Sequence, residues 1–354
     1  MSAFTDTSGK IGSKLFKEML LPKCGASRRE VLTGPGFGVD TAVIELGNGL
    51  AMAVSSDPLS LIPSIGMEAS AWLSVHLLAN DMATTGLAPM YAQFVLNLPT
   101  ELSARSFKEY WEYIHLFCKK IGVSISGGHT GQIEGMHSTI SGGGTMFLVA
   151  PTHRILTSTR AQPGDALVVT KQSALTASAI LAMSFPKTVK NKAGTEIYLK
   201  ACESFYQTSS LADALAASER LEPNSQLKAM HDVTEGGVVG AICEMAMASG
   251  CGFRIDDAKL PVSEVQKQIC RLFDIDYRFA VGAGAMIMAV KKGLESELTA
   301  HLHSKSIPAV VVGEMTPAEE GFVLIKNGEA SHIHVDEKDP YWEAFFKAIK
   351  AGLT

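Results

Sequence analysis

Apolar and polar positions in the first half of the chain follow a pattern that predicts strands and two helices. Alternation predicts strands over 39–46 and 49–56, and the Gly-Asn-Gly sequence between them is typical of a hairpin turn. The other elements expected in this half are a helix over 67–85, a strand over 90–96, a helix from about Ser103 to Lys120, and strands over 123–126 and 143–150. This order favours an α+β sheet over a doubly wound parallel fold.

A second pattern begins after Pro163 and runs almost to the end of the sequence. It predicts strands over 166–171, 284–290, 308–314 and 321–325, and helices over 173–184, 195–219, 237–249, 263–273, 293–304 and 339–350. In each half we expect the helices to pack on one side of the sheet.

The stretch from Pro151 to Gly164 lacks apolar periodicity, which predicts a domain boundary there. The expected organisation is an N-terminal segment (1–30), a first domain (31–155), a second domain (156–335) and a C-terminal helix (336–354). A chain of 354 residues, 46% of them hydrophobic, is long enough for two domains with cores of their own.

The charge balance argues against one class of partner. With 31 basic and 36 acidic residues the net charge is −5, whereas a nucleic-acid-binding protein needs a basic face. The six cysteines show no metal-binding spacing and fit a reducing compartment. We find no secretory signal and no apolar run of membrane-spanning length. We therefore expect a cytoplasmic protein without nucleic-acid or membrane partners.

Three aspartates are candidates for metal binding. Asp40 lies where a glycine-rich segment, 34–38, becomes a strand, although that segment also fits a flexible entry loop. Asp57 precedes Pro58, where we expect the strand to end, so ordinary turn chemistry is an alternative. Asp81 lies on an apolar helix without lysine or arginine, and a buried carboxylate needs a partner. It is either a metal ligand or a structurally satisfied side chain.

Two glycine-containing segments suggest ligand contacts. In the segment 127–131, expected as a loop after a strand, glycines would let the backbone approach a ligand, and His129 is either a ligand or polar surface. The segment 231–237 leads into a helix, whose free N–H groups make an anion site unless Asp232 or Thr234 merely caps it. Together with the aspartates, these segments suggest a Mg²⁺-nucleotide site.

These segments, in this order, resemble the ATP-binding superfamily of aminoimidazole ribonucleotide (AIR) synthetase. The run of motifs is most similar to the hydrogenase-maturation carbamoyl dehydratase branch. The matching segments, spread over roughly residues 30–325, are 38–42, 56–57, 80–89, 127–130, 163–165 and 231–237.

The resemblance implies a two-domain, PurM-like α+β fold. It further implies that the N-terminal sheets of two chains form a shared barrel in a homodimer, and that the C-terminal domain is an α/β sandwich. ATP would bind in a cleft at the dimer interface and phosphorylate an oxygen of the substrate, here a carbonyl or thiocarbamate oxygen.

The resemblance also implies roles for individual residues in this sequence. Three would hold Mg²⁺: Asp40, Asp57 and Asp81. Seven would contact ATP: Asn80, Gly127, Gly128, His129, Thr130, Gly236 and Gly237. Three would be catalytic or border the substrate: His231, Asp232 and Thr234.

Two departures from the family pattern affect the expected reaction. His129 stands where many members carry an acidic residue, which removes one metal carboxylate. The last cysteine is Cys270, so we expect no substrate-carrying C-terminal cysteine and instead a small-molecule or protein-borne acceptor, with a maturation protein as a further partner. A small-molecule kinase of the thiamine-monophosphate kinase type and a non-catalytic nucleotide-binding maturation factor are the alternatives.

Overall fold

The computed structural model describes residues 9–136, 139–334 and 339–354, which contain two β-sheets. The first sheet has the strand order β1-β2-β3-β6-β4-β5 and is antiparallel except for the β4–β5 pair. Its strands are β1 Val31–Thr33, β2 Ala42–Gly47, β3 Leu50–Ser60, β4 Tyr91–Pro99, β5 Ser124–Ile133 and β6 Ile140–Pro151. The helices of this half are α1 Ser13–Leu15, α2 Gly66–Ala83 and α3 Ala104–Lys120.

The predicted hairpin is confirmed, because β2 and β3 pair in antiparallel register on either side of the Gly-Asn-Gly turn. All three turn residues have positive φ, including Asn48 at 54°, and glycine and asparagine adopt this conformation most readily. The turn sequence therefore determines which two strands pair at this point.

Among the described residues, helices cover only one face of the first sheet. Alternate residues of β4, such as Phe94 and Leu96, are buried beneath α2 and α3, while Tyr91 and Val95 point the other way and are 38% and 42% exposed. Helix α2 is buried on nearly all sides because Val75 and Leu78 face this sheet while Trp72 packs on the second domain. For this reason α2 lacks the polar stripe of an ordinary surface helix.

The second sheet has the order β13-β12-β9-β11-β7-β10-β8 and is antiparallel except for the β12–β9 pair. Its strands are β7 Ala166–Thr170, β8 Leu227–Asp232, β9 Gly252–Asp256, β10 Met286–Val290, β11 Ala309–Thr316, β12 Phe322–Lys326 and β13 Glu329–His332. The remaining helices are α4 Leu175–Ser184, α5 Pro186–Ala193, α6 Thr195–Glu203, α7 Leu211–Arg220, α8 Gly237–Ser249, α9 Glu264–Leu272, α10 Glu295–Ser304 and α11 Pro340–Lys350.

The prediction that helices cover one side of each sheet is wrong for this second sheet. Leu167 and Val169 on one face pack in the same core as α8, whereas Val168 on the other face packs with α7 and α10. All three side chains are fully buried, so the strand is apolar at consecutive positions. A strand buried on both faces gives no alternating pattern from which a bare face could be predicted.

Three predicted boundaries are also wrong. The helix expected over 195–219 is broken between α6 and α7, and the segment 127–131 belongs to β5 rather than to a loop. Strand β3 continues through Asp57 and Pro58, because this part of β3 still pairs with β6. In each case the deciding contacts come from a distant part of the chain.

None of the described helices combines the length and the apolar character that crossing a bilayer requires.

Candidate active site

A cleft of about 410 Å³ contains the acidic residues singled out from the sequence. They come from separate elements: Asp40 precedes β2, Asp57 lies in β3, Asp81 lies near the end of α2 and Asp232 ends β8. Thr234 also lines the cleft. The structure therefore brings together the three proposed metal ligands and two of the three proposed catalytic residues.

The donor atoms near Asp40 have the spacing and chemistry of a cation site. One carboxylate oxygen from each of Asp40 and Asp232 lies within 4.8 Å of the other and of a ring nitrogen of His231, whose raised pKa of about 9 favours the protonated form, so the two carboxylates are the candidate ligands. Among the described residues, the Oδ2 atoms of both aspartates are buried and without a hydrogen-bond partner. Asp81 differs, because its Oδ2 accepts a 2.7 Å hydrogen bond from the hydroxyl of Ser55. Buried carboxylate oxygens of this kind fit a hard divalent cation such as Mg²⁺.

The electrostatics also favour an added cation. Burial raises the pKa of Asp40 to about 7 and of Asp57 to about 7, and the nearby Asp232 carboxylate adds to both shifts. Burial raises the pKa of Asp81 well above its ordinary range, with further contributions from Asp232, Asp57 and Asp40. A divalent cation among these groups would stabilise their charged forms and reverse the shifts.

Sequence reasoning missed Lys10 and Glu244. Lys10 Nζ donates a 2.8 Å hydrogen bond to Glu244 Oε2, and His231 Nε2 lies 3.3 Å from the same oxygen. Burial alone would raise the pKa of Glu244, but His231 and Lys10 outweigh it and lower that pKa to about 2. The one signal in the sequence was a glutamate within the otherwise apolar helix α8.

His231 lies behind the aspartates rather than on the cleft wall. It is 1% exposed, and its Nδ1 donates a 2.7 Å hydrogen bond to the backbone carbonyl of Asp232. Burial opposes its protonation, but Asp40, Glu244 and Asp232 raise its pKa to about 9. The side chain is thus placed to hold Asp40 and Asp232 in position.

Asn80 is used in a contact between the domains. Its Nδ2 donates to the backbone carbonyl of Thr208 at 2.9 Å, and its Oδ1 accepts from the N–H of Ser210 at 2.7 Å. These bonds connect α2 to the segment between α6 and α7. Both ends of the amide are therefore engaged within the protein.

The four proposed nucleotide contacts on β5 are not among the residues that line the cleft. Strand β5 is an edge strand, and Gly127, Gly128, His129 and Thr130 are all exposed on it. A side chain at Gly128 would collide with the backbone of Phe94 on β4. Close strand packing therefore accounts for this glycine without a ligand.

The turn before α8 already binds a carboxyl group of the chain itself, that of Asp339, whose pKa burial raises to about 7. The N–H of Gly236 donates a 2.8 Å hydrogen bond to Asp339 Oδ2, and Asp339 Oδ1 accepts from the N–H of Tyr341. Gly237 has φ 63° and packs against the backbone carbonyls of residues 278 and 280. The predicted anion-binding position is thus occupied by the carboxylate that caps α11.

Two family models, together covering more than three quarters of the chain, define its class. The N-terminal domain of AIR synthase related protein matches residues 38–147, and the C-terminal domain matches residues 162–326. The chain belongs to the AIR synthase related protein family.

Its relatives include enzymes of hydrogenase maturation. The chain is 25% identical to the carbamoyl dehydratase HypE of Rhizobium leguminosarum bv. viciae over 71% of this chain and 69% of that protein. It is 24% identical to HypE of Rhodobacter capsulatus over 81% of both proteins.

Solved structures share the fold. HypE in complex with ATP has a TM-score of 0.67 at 19% identity and covers 95% of this chain and 97% of its own. AaThiL complexed with AMPPCP and TMP has a TM-score of 0.65 at 20% identity, covering 84% and 89%. The HypE–HypF complex has a TM-score of 0.67 at 19% identity, covering 84% and 93%. The two-domain PurM-like fold is confirmed.

Proposed function

We propose that this protein is a HypE-like, ATP-dependent enzyme that uses Mg-ATP to phosphorylate a carbonyl or thiocarbamate oxygen of an acceptor. The observation that carries the proposal is the meeting of Asp40, Asp57, Asp81 and Asp232 in one cleft. No lysine or arginine forms an ion pair with any of the four among the described residues. Such a site favours a ligand that brings its own cations, as Mg-ATP does.

In this proposal the aspartates hold and position the metal ions. Asp40, Asp57 and Asp81 would bind Mg²⁺, which when bound neutralises phosphate charge and orients the transferred group. Asp232 and Thr234 border the acceptor oxygen, and the buried surroundings of the cleft limit attack by water. His231 acts through Asp40 and Asp232, and Glu244 with Lys10 fixes its ring.

The proposed ATP site is completed by a second copy of the chain. The bare face of the first sheet carries exposed apolar side chains, including Leu50, Tyr91 and Val95. Contiguous apolar surface of this kind is typical of an interface, and pairing two such faces would form the shared barrel. Gly127, Gly128, His129 and Thr130 would contact nucleotide in that assembly, with Asn80, Gly236 and Gly237 holding the surrounding backbone. Analytical ultracentrifugation tests the dimer, and a monomer at micromolar concentration would contradict it.

A thermal-shift titration tests the metal-nucleotide site. Mg-ATP should raise the melting temperature of the wild type, and ATP with EDTA should raise it much less, because binding to the folded state alone stabilises it. Asp81→Asn should abolish the shift. Asp274→Asn is the matched control, because Asp274 is an exposed aspartate outside the cleft. Equal shifts in the wild type and Asp81→Asn would refute the proposal.

A kinase of the thiamine-monophosphate type is the second candidate. It is favoured by one observation: none of the six cysteines lines the cleft, which fits a free small-molecule acceptor rather than one carried on a thiol. A screen of acceptors by ADP release, followed by product analysis, separates the two reactions. Free phosphate supports dehydratase-type chemistry, whereas a phosphorylated product supports the kinase. Mg-ATP binding without turnover of any acceptor would indicate a nucleotide-binding maturation factor.

A further inference from the structure

The cleft has a second, apolar end that the proposed phosphoryl-transfer chemistry does not use. Ile62, Leu73 and Leu77, from α2 and the segment before it, line the cleft and belong to one apolar cluster with Ile180 of α4, which also lines it. Tyr341 of α11 is also part of the wall and is 2% exposed. Apolar walls beside a few polar groups are typical of small-molecule sites.

The charges of the lining restrict what can bind at the apolar end. Lys10 is the only lysine or arginine among the described residues that line the cleft, and it is already hydrogen-bonded to Glu244 at 2.8 Å. At the apolar end, away from the aspartates proposed to hold Mg²⁺, a phosphate or carboxylate on the acceptor would find no free lysine or arginine. This arrangement favours an uncharged acceptor.

Two aromatic side chains of α11, packed edge to face, add apolar ring surface and a polar group. The centroids of Tyr341 and Trp342 are 5.2 Å apart with an interplanar angle of 66°, and both residues line the cleft. The indole Nε1 of Trp342 is buried and has no hydrogen-bond partner among the described residues. Burying an N–H donor without a partner costs free energy, and a hydrogen bond to a ligand oxygen or nitrogen would offset that cost.

From these observations we propose that the acceptor is an uncharged molecule with an aromatic or similarly flat apolar body. The body lies between α2, α4 and α11, accepts a hydrogen bond from Trp342 Nε1, and presents its reactive oxygen to the aspartates. This inference rests on the proposed function for the role of the molecule, but its binding can be measured without ATP.

Three probes that share one ring system test the proposal. Calorimetric titrations of the whole protein in EDTA would use 2-naphthamide, 2-naphthoate and 2-naphthyl phosphate, which differ in charge. We expect 2-naphthamide to bind at least tenfold more tightly than either anion. Tighter binding of the phosphate ester, or no measurable binding of the amide, would overturn the proposal.

Substitutions on α11 locate the site. Trp342→Ala should weaken 2-naphthamide binding at least tenfold, and Trp342→Phe should weaken it by a smaller factor because a ring remains without the N–H donor. Ile349→Ala is the matched control, because Ile349 lies on the same helix, is 51% exposed and does not line the cleft. Unchanged affinity in Trp342→Ala would overturn the proposal.

The failure of this inference is distinguishable from failure of the proposed function. Asp81→Asn should lose the Mg-ATP thermal shift while keeping its affinity for 2-naphthamide. The two Trp342 variants should keep the Mg-ATP shift, which also shows that they are folded. Wild-type protein that binds the amide but shows no Mg-ATP shift would contradict only the proposed function. An Mg-ATP shift without amide binding would contradict only the acceptor class.

Discussion

Two buried acidic sites flank α2, and they obtain their counter-charge differently. At the joint with the second domain, Asp213 has a cation from the chain, because Lys171 Nζ lies 2.8 Å from its Oδ2. In the cleft, no lysine or arginine of the described residues forms an ion pair with Asp40 or Asp232, and the ion pairs these two form are with His231. The comparison separates an acid paired with a lysine of the chain from acids for which we propose a bound cation.

The largest effect should come from breaking the paired site. Asp213→Ala leaves Lys171 buried without its carboxylate, so we expect the free energy of unfolding to fall by about 3–5 kcal/mol. Urea denaturation measures it. Glu297→Gln breaks the half-exposed pair with Arg220 and should change stability within error. A small effect of Asp213→Ala would remove the distinction between the two sites.

The unpaired site should behave in the opposite way. Burial first, and then Glu235 and Asp232, raise the pKa of Asp57 from 3.8 to about 7, so the folded state binds a proton that the unfolded state has released. Stability from this group is full below about pH 4 and falls as the pH rises towards 7, by about 4 kcal/mol in total and by about 3 kcal/mol between pH 5 and pH 8. Asp57→Asn should flatten that loss in unfolding experiments at pH 5 and pH 8 without Mg²⁺. Mg²⁺ should restore stability at pH 8 in the wild type only, and identical pH profiles would contradict this account.

The contact between α2 and the second domain, where His76 lies, should make stability depend on pH with the opposite sign. Burial, with Lys120 and Lys171, lowers the pKa of His76 from 6.5 to about 3, so protons bind the unfolded state preferentially between these values. Stability is therefore full above about pH 6.5 and falls as the pH decreases towards 3. At pH 5 the loss attributable to His76 should be about 2 kcal/mol. His76→Gln should lose that much less between pH 7 and pH 5, as measured by urea denaturation, and an unchanged slope would contradict the assignment.

The smallest effect concerns a hydroxyl at the unpaired site. Ser55 Oγ donates a 2.7 Å hydrogen bond to Asp81 Oδ2 and favours the charged carboxylate. Ser55→Ala should weaken Mg-ATP binding by about 1 kcal/mol, or roughly fivefold, without abolishing it. Calorimetry checks the value. Ser249→Ala is the control, because the Ser249 hydroxyl donates a 2.9 Å hydrogen bond to the carbonyl of Ser158 and does not line the cleft.

The sequence predicted those features that depend on short-range chemistry. The positive-φ turn around Asn48 could be predicted because few residue types adopt that conformation readily. Asp40, Asp57 and Asp81 were suggested as one Mg²⁺ site from residue type, and the family resemblance supported that grouping, because nothing local relates three positions so far apart. The individual roles of the proposed site residues stay predictions.

What sequence reasoning missed depends on contacts between distant segments. The helix over 195–219 is interrupted because Asn80 of α2 bonds the backbone of Thr208 and Ser210. In the sequence Glu244 is an isolated polar residue of α8, and only the folded chain places Lys10 and His231 beside it. Neither contact leaves a periodic pattern within its own segment.

The double use of Asp339 links the C-terminal helix to the cleft. One carboxylate caps α11 and also binds the N–H of Gly236, two residues after Thr234. A movement of that turn would therefore displace Asp339 and, with it, the start of α11. A fluorophore attached at the exposed position of Phe346 would accordingly report cleft occupancy from outside the catalytic chamber.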